Sequence, residues 1–319
     1  MKTVLVSGAS GIVGYGILRS LRLSAEDIRL VGTTIYQDSV VPAFCDIFEL
    51  APPTSQDGYL EWLNSVVSRH SVDLIIPSIE CDVYKWNEHR EAIESSGVKV
   101  LLNNENLIEL CHDKWLFYNA LKRFAPEFAI PTRIEGSYDS LVEEYSLPFL
   151  LKPRCGFASK GIVQVANQAV FDEHKALLGP LLMAQPIVGS CDEEYTVSGF
   201  FDKFGELCCS MTLKRKLSSE GFTQSAKVAV LDGATSAMRR LGRAFKAIGP
   251  TNFQFRVHRG DLKCLEINPR ISSATSIRAA FGYNESLMSI KYFLDQQRPD
   301  PPCTRSGRAV RYIEDHVFL

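Results

Sequence analysis

The apolar positions in the first third of the chain alternate between short strand-like runs and one-sided helical patterns. Four compact apolar runs predict buried strands at residues 3–7, 29–32, 72–77 and 98–102. Residues 60–70 carry apolar side chains at helical spacing, and residues 86–95 predict a further helix. Strands that alternate with helices are typical of βαβ units, so we expect a doubly wound parallel sheet that ends near residue 105.

The rest of the chain has a different pattern, in which short strands dominate. Helices are predicted at 106–125 and 236–248, and Gly260-Asp261 predicts a hairpin turn. Strand-like runs occur at 148–152, 162–165, 181–185, 194–201, 207–212, 223–228, 252–258, 262–267 and 308–317. We therefore expect an α/β unit followed by an α+β body with antiparallel sheets.

The composition is that of an ordinary globular protein. Of 319 residues, 45% are hydrophobic, and the 35 basic and 37 acidic side chains give a net charge of −2. This balance argues against a nucleic-acid-binding protein, which would carry a basic excess. No apolar run approaches the roughly 18 residues of a membrane helix, and the first residues resemble a strand and turn rather than a signal peptide. Nine scattered cysteines without an export signal predict reduced thiols and a cytoplasmic location.

A glycine-rich turn follows the first predicted strand. Gly8, Gly11 and Gly14 would let backbone N–H groups approach a phosphate at a helix N-terminus. The spacing is similar to that of nucleotide-sugar epimerases and short-chain dehydrogenases, and Tyr118 with Lys122 matches their YxxxK pattern. However, no acidic residue closes the second strand, where an NAD ribose would need one. We favour a tight turn without a ligand and keep an NAD-dependent epimerase or reductase as an alternative.

Three polar residues late in the chain predict a metal site. A hairpin centred on Gly260 would place Gln254 beside Glu266, and Asn268 shares a strand face with Glu266 because the two are two positions apart. An amide, a carboxylate and a second amide form a cluster of oxygen ligands, which suits Mg²⁺, or Mn²⁺ in its place. Arg270 follows immediately and adds a fixed positive charge beside the metals.

At this point the chain resembles the ATP-grasp enzymes, and most closely the branch of the carbamoyl phosphate synthetase large subunit. The segment Glu266-Ile-Asn-Pro-Arg270 is similar to the metal-binding signature of that family, and Gln254 matches its upstream metal ligand. The resemblance covers nearly the whole chain. It implies ATP contacts from Lys114, from Lys152, from Ser159 and Lys160 in a closing loop, from Gln185 and Ile187 in an adenine hinge, and from Glu194 at the ribose.

The resemblance also implies a fold and a reaction. The expected fold is a Rossmann-like pre-ATP-grasp domain at 1–105, a small ATP-grasp lobe with a linker helix at 106–185, and a C-terminal lobe with the metal site at 186–319. The expected reaction joins a small-molecule carboxylate to an amine through an acyl phosphate, using ATP and Mg²⁺, with Arg270 and Lys214 as catalytic residues. Phosphorylation of bicarbonate is the alternative within the same branch. A homodimer is a family-level expectation.

Several charged residues keep two interpretations each. The run 214–216 forms either a solvated turn or a basic wall that faces the γ-phosphate or an anionic substrate. Arg278 either binds a substrate carboxylate or makes a surface salt bridge. Glu80 follows a strand where a doubly wound sheet opens its crevice, so it either contacts substrate or caps a helix.

Overall fold

The computed structural model describes residues 1–156, 161–218 and 221–318. Its first sheet is parallel, and its strands are β1 (Lys2–Val6), β2 (Ile28–Thr34), β3 (Ile47–Leu50), β4 (Leu74–Ile76) and β5 (Lys99–Val100). The strand order is β3-β2-β1-β4-β5, which is that of a doubly wound sheet. The four predicted strands are confirmed. The edge strand β3 was not predicted because its residues are only partly buried and form no clear apolar run.

Helices lie on both faces of this sheet. They are α1 (Ile12–Arg22), α2 (Tyr59–His70), α3 (Glu80–Glu88) and α4 (Arg90–Glu94). The helix predicted at 86–95 is in fact two helices, because the backbone leaves helical geometry at His89, with φ of −115° and ψ of 23°.

The helix predicted at 106–125 is also divided in two. The pieces are α5 (Glu105–His112) and α6 (Lys114–Phe124). Asp113 has an extended backbone, and its side chain accepts a hydrogen bond from the N–H of Trp115 at 2.8 Å. Asp113 therefore ends one helix and caps the next, which places Lys114 at the first position of α6.

The second sheet is small and antiparallel. Its strands are β6 (Phe149–Pro153), β7 (Val163–Val165) and β8 (Leu182–Pro186), in the order β7-β6-β8. Two helices that the apolar pattern did not predict, α7 (Tyr138–Tyr145) and α8 (Gln168–His174), accompany it. Tyr145, Phe149 and Phe171 lie in one hydrophobic cluster, so the helices and the sheet share a core.

The third sheet is antiparallel and has six strands. They are β9 (Glu194–Phe201), β10 (Leu207–Leu217), β11 (Thr223–Val228), β12 (Gly249–His258), β13 (Asp261–Asn268) and β14 (Arg308–Val310), in the order β13-β12-β9-β10-β11-β14. The remaining helices are α9 (Ala234–Phe245), α10 (Thr275–Ala280) and α11 (Glu285–Asp295). The strand predicted at 308–317 ends at Val310. Short 3-10 turns lie at Val41–Ala43, Pro126–Phe128, Lys175–Leu177 and Cys191–Glu193.

The C-terminal part of the chain packs onto the first sheet. Ile271 and Ile290 belong to the same hydrophobic cluster as Val4, Ile17 and Leu30. This shared core fixes the position of the β12–β13 hairpin relative to the N-terminal sheet. The expected combination of α/β and α+β architecture is confirmed, whereas the boundaries at 105 and 185 stay a prediction. Among the described helices, none is long and apolar enough to cross a membrane.

Candidate active site

A cleft of about 370 Å³ lies between the three sheets. The hairpin β12–β13 forms its floor, β6 and β8 form one wall, and the first turns of α1 and α3 approach it from the N-terminal sheet. Side chains from all of these elements line it, including Ile12, Glu80, Lys152, Gln185, Arg215, Gln254, Glu266, Asn268 and Arg270.

The predicted hairpin and its three polar residues are brought together. His258 pairs with Asp261 across a two-residue turn, in which Arg259 and Gly260 have φ of 54° and 88°. In this register Gln254 lies opposite Glu266. The side-chain amides of Gln254 and Asn268 both donate to Oε1 of Glu266, the second over 3.0 Å.

Glu266 is ionised because of the charges around it. Burial opposes its ionisation, but the positive charge of Lys152, the hydrogen bond from Asn268 and the more distant charges of Lys114 and Arg215 lower its pKa below the ordinary value. Burial in turn lowers the pKa of Lys152, although the charge of Glu266 opposes this. The cleft floor thus brings a partly buried carboxylate and a partly buried ammonium together, and the ammonium is available to a further anion.

The residues of the floor fit a hard cation such as Mg²⁺. No group of three His, Cys, Asp or Glu side chains lies close enough to hold a metal in the part of the chain described here, so a cation would rest on one carboxylate and two amides. In the structure the amide nitrogen of Asn268 faces Glu266. A flip of the terminal amide would put its oxygen in that position, where it could bind a cation. Oε1 of Gln254 accepts a hydrogen bond from Arg215 at 2.6 Å, so it would bind a cation in exchange for that contact.

Arg215 lines the cleft, whereas Lys214 does not. Successive side chains of β10 point to opposite faces, and of these two neighbours Arg215 is the one on the cleft side. The guanidinium of Arg215 donates to Oε1 of Glu194 at 2.9 Å, and Arg256 donates to Oε2 at 2.8 Å. Lys214 pairs with Glu193 instead. The alternation of β10 was the signal that could have identified Arg215, and the roles expected for Lys214 and Glu194 stay predictions.

The two lysines expected at the phosphates approach the cleft from neighbouring segments. Lys152 is on β6, and Lys114 is at the start of α6, where its Nζ donates to the carbonyl oxygen of Gly156 at 2.6 Å. Both residues line the cleft. Ser159 and Lys160, which were expected to contact ATP from a closing loop, lie outside the described residues.

The expected adenine hinge lies at an apolar end of the cleft. Gln185 is buried and lines the cleft, and its Nε2 donates to Oγ1 of Thr132 at 2.8 Å. Ile187 is 37% exposed and is not among the lining residues, whereas its neighbours Pro186 and Val188 are. Further apolar side chains there are Ile130, Leu150 and Ile162.

Two arginines beyond the hairpin have different surroundings. Arg270 lines the cleft and donates to Oε1 of Glu80 at 2.9 Å, so Glu80 contacts the predicted catalytic residue. Arg278 is fully buried and pairs with Glu285, which is itself buried. Both interpretations of Arg278 are therefore wrong, because a side chain with no exposed surface neither meets a substrate nor forms a surface salt bridge.

Packing explains the glycine-rich turn without a ligand. A Cβ on Gly14 would lie 2.6 Å from the carbonyl oxygen of Gly8 and 2.8 Å from Oγ of Ser78, so no larger residue fits. Tyr118 stacks on Trp115 with ring centroids 5.5 Å apart, and Tyr118 is not one of the cleft-lining residues found in the described ranges. The turn and the YxxxK pattern therefore do not form one site.

Sequence comparison relates the chain to ATP-grasp proteins. Residues 182–316 match the family described as ATP-grasp in the biosynthetic pathway with Ter operon. The carbamoyl phosphate synthase large chain of Methanosarcina acetivorans is 24% identical over 211 residues, which are 60% of this chain and 19% of that protein. The arginine-specific large chain of Bacillus subtilis is 24% identical over 206 residues, again 19% of its length. The chain thus spans about a fifth of these relatives.

Solved structures share the fold over nearly the whole chain. N5-carboxyaminoimidazole synthetase from Staphylococcus aureus, complexed with ADP, matches 94% of this chain and 79% of its own, with a TM-score of 0.73 and 16% identity. The biotin carboxylase domain of Hydrogenobacter thermophilus 2-oxoglutarate carboxylase, in complex with MgADP, ADP and bicarbonate, matches 96% and 73%, with a TM-score of 0.70 and 15% identity. The match over residues 182–316, the carbamoyl phosphate synthase relatives and the shared fold agree, and the chain is similar to ATP-grasp proteins.

Proposed function

We propose that the chain is an ATP-dependent ligase that activates a carboxylate as an acyl phosphate and joins it to an amine, with release of ADP. The observation that carries the proposal is the convergence of Gln254, Glu266 and Asn268 with the partly buried ammonium of Lys152 on one cleft floor. Such a floor suits a triphosphate with a divalent cation, because it supplies oxygen ligands and positive charge together.

The proposed reaction has two steps. A carboxylate oxygen of the substrate attacks the γ-phosphorus, and the bond between that phosphorus and the β,γ-bridging oxygen breaks to release ADP. The amine nitrogen then attacks the acyl carbon, phosphate leaves, and the nitrogen loses a proton. Mg²⁺ bound to Glu266, Asn268 and Gln254 would neutralise charge on the phosphate oxygens.

Each residue of the cleft has a part in this proposal. Lys152 and Lys114 hold the phosphates, and the guanidinium of Arg270 stabilises the negative charge of the transferring group. Arg215 takes the place that Lys214 was expected to occupy, because Arg215 lines the cleft and contacts Gln254. Apolar side chains around Gln185 and Val188 form a surface against which an adenine ring would pack.

The test is ADP release from Mg·ATP across a grid of small carboxylates and amines. We expect release to require one member of each class and to be lost in Glu266→Gln. Glu173→Gln is the matched control, because Glu173 is an exposed glutamate on α8 and is not one of the cleft-lining residues found in the described ranges. Turnover of the Glu266 variant at the wild-type rate would refute the proposal.

Bicarbonate is the second candidate for the carboxylate. It is favoured by the carbamoyl phosphate synthase relatives and by the bicarbonate in the structure of the 2-oxoglutarate carboxylase domain. Bicarbonate-stimulated ADP release without any organic carboxylate would select this candidate.

Thermal unfolding in the presence of each nucleotide separates the ligase from an NAD-dependent enzyme. Mg·ATP should raise the melting temperature because it binds the native state, whereas NADH should leave it unchanged. A cytoplasmic location and a homodimer belong to the proposal as well. Light scattering of the purified chain at several concentrations tests the homodimer.

A further inference from the structure

A buried ion pair lies directly behind the cleft floor. Arg278 of α10 is fully buried, and its Nη1 donates to Oε1 of Glu285 at 3.2 Å and to Oγ of Ser272 at 2.7 Å. Ser198 donates to the other carboxylate oxygen of Glu285. Burying such a pair is costly, and its removal from water requires compensation by good hydrogen bonds. The proposed reaction does not yet use any of these residues.

The other arm of Arg278 reaches the strands that carry the proposed metal ligands. Its Nη2 donates to Oγ1 of Thr196 at 2.9 Å and to Oδ1 of Asn252 at 2.8 Å. Thr196 is the strand neighbour of Gln254, and Asn252 is the strand neighbour of Asn268. The guanidinium of Arg278 therefore contacts the strand neighbours of two predicted metal ligands.

These contacts fix the orientation of the Asn252 amide. A guanidinium only donates hydrogen bonds, so the atom of Asn252 that faces Arg278 must be the oxygen. The hydroxyl of Thr196 accepts from Arg278 and donates its own proton to the same oxygen at 2.6 Å. Because Oδ1 is held by two donors, Nδ2 has to point away from Arg278.

The Nδ2 of Asn252 has no hydrogen-bond partner among the described residues, although the side chain is 99% buried, with 1% of its surface exposed. Asn252 is nevertheless one of the residues that line the cleft, and it shares a strand face with Gln254. Buried N–H donors are rarely left unpaired in folded proteins. A donor held in this way at the wall of a cleft indicates a ligand with an acceptor oxygen.

We propose that Asn252 donates from Nδ2 to an anionic oxygen at the reacting end of the cleft, and that Arg278 is the positioning residue that holds it. The inference rests on the proposed function. The oxygen belongs either to the γ-phosphoryl group or to the carboxylate that attacks it. The chemistry is the same in both cases, and the two arms of the experiment distinguish them.

The first arm compares the affinities of Mg·AMP-PNP and Mg·ADP, since their ratio reports on the γ-phosphoryl group. Asn252→Asp keeps both hydrogen bonds to Oδ1 but replaces the free donor with an acceptor. If the oxygen belongs to the γ-phosphoryl group, this variant lowers the ratio of AMP-PNP to ADP affinity by about 10- to 100-fold, the range for a hydrogen bond to a charged group. The second arm measures bicarbonate-stimulated ADP release, with bicarbonate as the smallest carboxylate probe.

Two further variants test the role of Arg278. Arg278→Lys keeps the charge but loses the fork that spans Thr196 and Asn252. Thr196→Val removes one donor to Oδ1 and leaves the ion pair intact, so it serves if the lysine variant does not fold. Asn252→Asp should change either the ratio of AMP-PNP to ADP affinity or the bicarbonate-stimulated ADP release. We expect both further variants to change the same one of these two quantities by a smaller factor. Ser289→Ala is the control, because its buried hydroxyl donates within α11, to the carbonyl oxygen of Glu285 at 2.7 Å.

The outcomes are distinct. A lower AMP-PNP to ADP ratio assigns the oxygen to the γ-phosphoryl group, and loss of bicarbonate stimulation with an intact ratio assigns it to the carboxylate. If Asn252→Asp changes neither quantity, the inference is overturned. If it changes one of them but Thr196→Val and Arg278→Lys do not, the positioning role is overturned. Failure of the wild-type chain to bind either nucleotide overturns the proposed function, and this inference with it.

Discussion

Glu80 and Arg270 are 190 positions apart in sequence, and Oε1 of the glutamate accepts a hydrogen bond from Nη2 of the arginine at 2.9 Å. Glu80 is in the first turn of α3, beside the N-terminal sheet, and Arg270 follows the last strand of the metal-site hairpin. Both side chains are largely buried, with 22% and 17% of their surface exposed. The contact therefore links the N-terminal sheet directly to the residue that we propose stabilises the transferring phosphoryl group.

Replacing Glu80 with Gln should lower turnover more than nucleotide affinity. The glutamine keeps an acceptor oxygen but loses the charge that orients the guanidinium, so Arg270 becomes free to adopt other positions. We expect the maximal rate of ADP release to fall about 10-fold, in the range of one charge-assisted hydrogen bond. Steady-state kinetics separate the two effects. Glu88→Gln on the same helix is the control, because its carboxylate is largely exposed.

Replacing Glu266 with Gln should reduce ADP release by at least about 100-fold, because a partly buried carboxylate beside the proposed phosphate site is lost. The same variant should change acid stability. The pKa of Glu266 is lowered from an ordinary value of 4.5, so its ionised form stabilises the native state above pH 4.5. That contribution is lost as the pH falls through the lowered pKa.

Urea unfolding between pH 3 and pH 7 measures this contribution. The free energy of unfolding of wild-type protein should exceed that of the Glu266 variant most at neutral pH, and the difference should shrink on acidification. A difference that grew towards acid would contradict a lowered pKa for this carboxyl group.

Replacing Lys152 with Met should weaken Mg·ATP binding more than Lys114→Met does. Lys152 is partly buried and its charge acts on Glu266, and charge interactions are stronger away from water, whereas Lys114 already donates to Gly156. Burial lowers the pKa of Lys152, so wild-type affinity should fall on raising the pH from 7 to 10, as the ammonium loses its proton. Calorimetric titrations at several pH values check this. The Lys152 variant should lack most of that pH dependence.

Replacement of the neighbours Lys214 and Arg215 should lower the stability of the protein by very different amounts. Arg215→Met removes a partner of the buried Glu194, and breaking a buried pair costs about 3–5 kcal/mol. Lys214→Met removes a partly exposed pair with Glu193 and should cost under about 1 kcal/mol. Denaturant unfolding and ADP release of the two variants are measured together. Loss of activity in the Lys214 variant, with normal stability and an active Arg215 variant, would restore Lys214 as the catalytic residue.

The hairpin could be predicted because the residues that determine it are close together in the sequence. The turn at Gly260 and the two-residue periodicity of each strand determine which side chains are neighbours, and Gln254 does lie opposite Glu266. The parallel sheet could be predicted for the same reason, since four of its five strands lie in compact apolar runs. The division of one predicted helix at Asp113 was also readable in principle, because Asp is a strong N-cap residue.

The contacts around the cleft could not be predicted, because they join distant parts of the chain. Arg215 reaches Gln254 across 39 positions, and Arg278 reaches Thr196 across 82. Nothing in the local sequence distinguishes a buried arginine from an exposed one until its partner is known. Arg278 shows this most clearly, since its surroundings differ from both of the roles that its sequence position suggested.

The backbone segments that carry the two predicted phosphate-binding lysines are bonded to each other. Asp113, which precedes Lys114, forms an ion pair with Arg154, which lies two residues after Lys152, and the backbone N–H of Lys114 donates to the carbonyl oxygen of Arg154 at 2.8 Å. These bonds tether the start of α6 to the end of β6. Because of this tether, a movement of β6 relative to the metal-site hairpin would carry the backbone of both lysines with it.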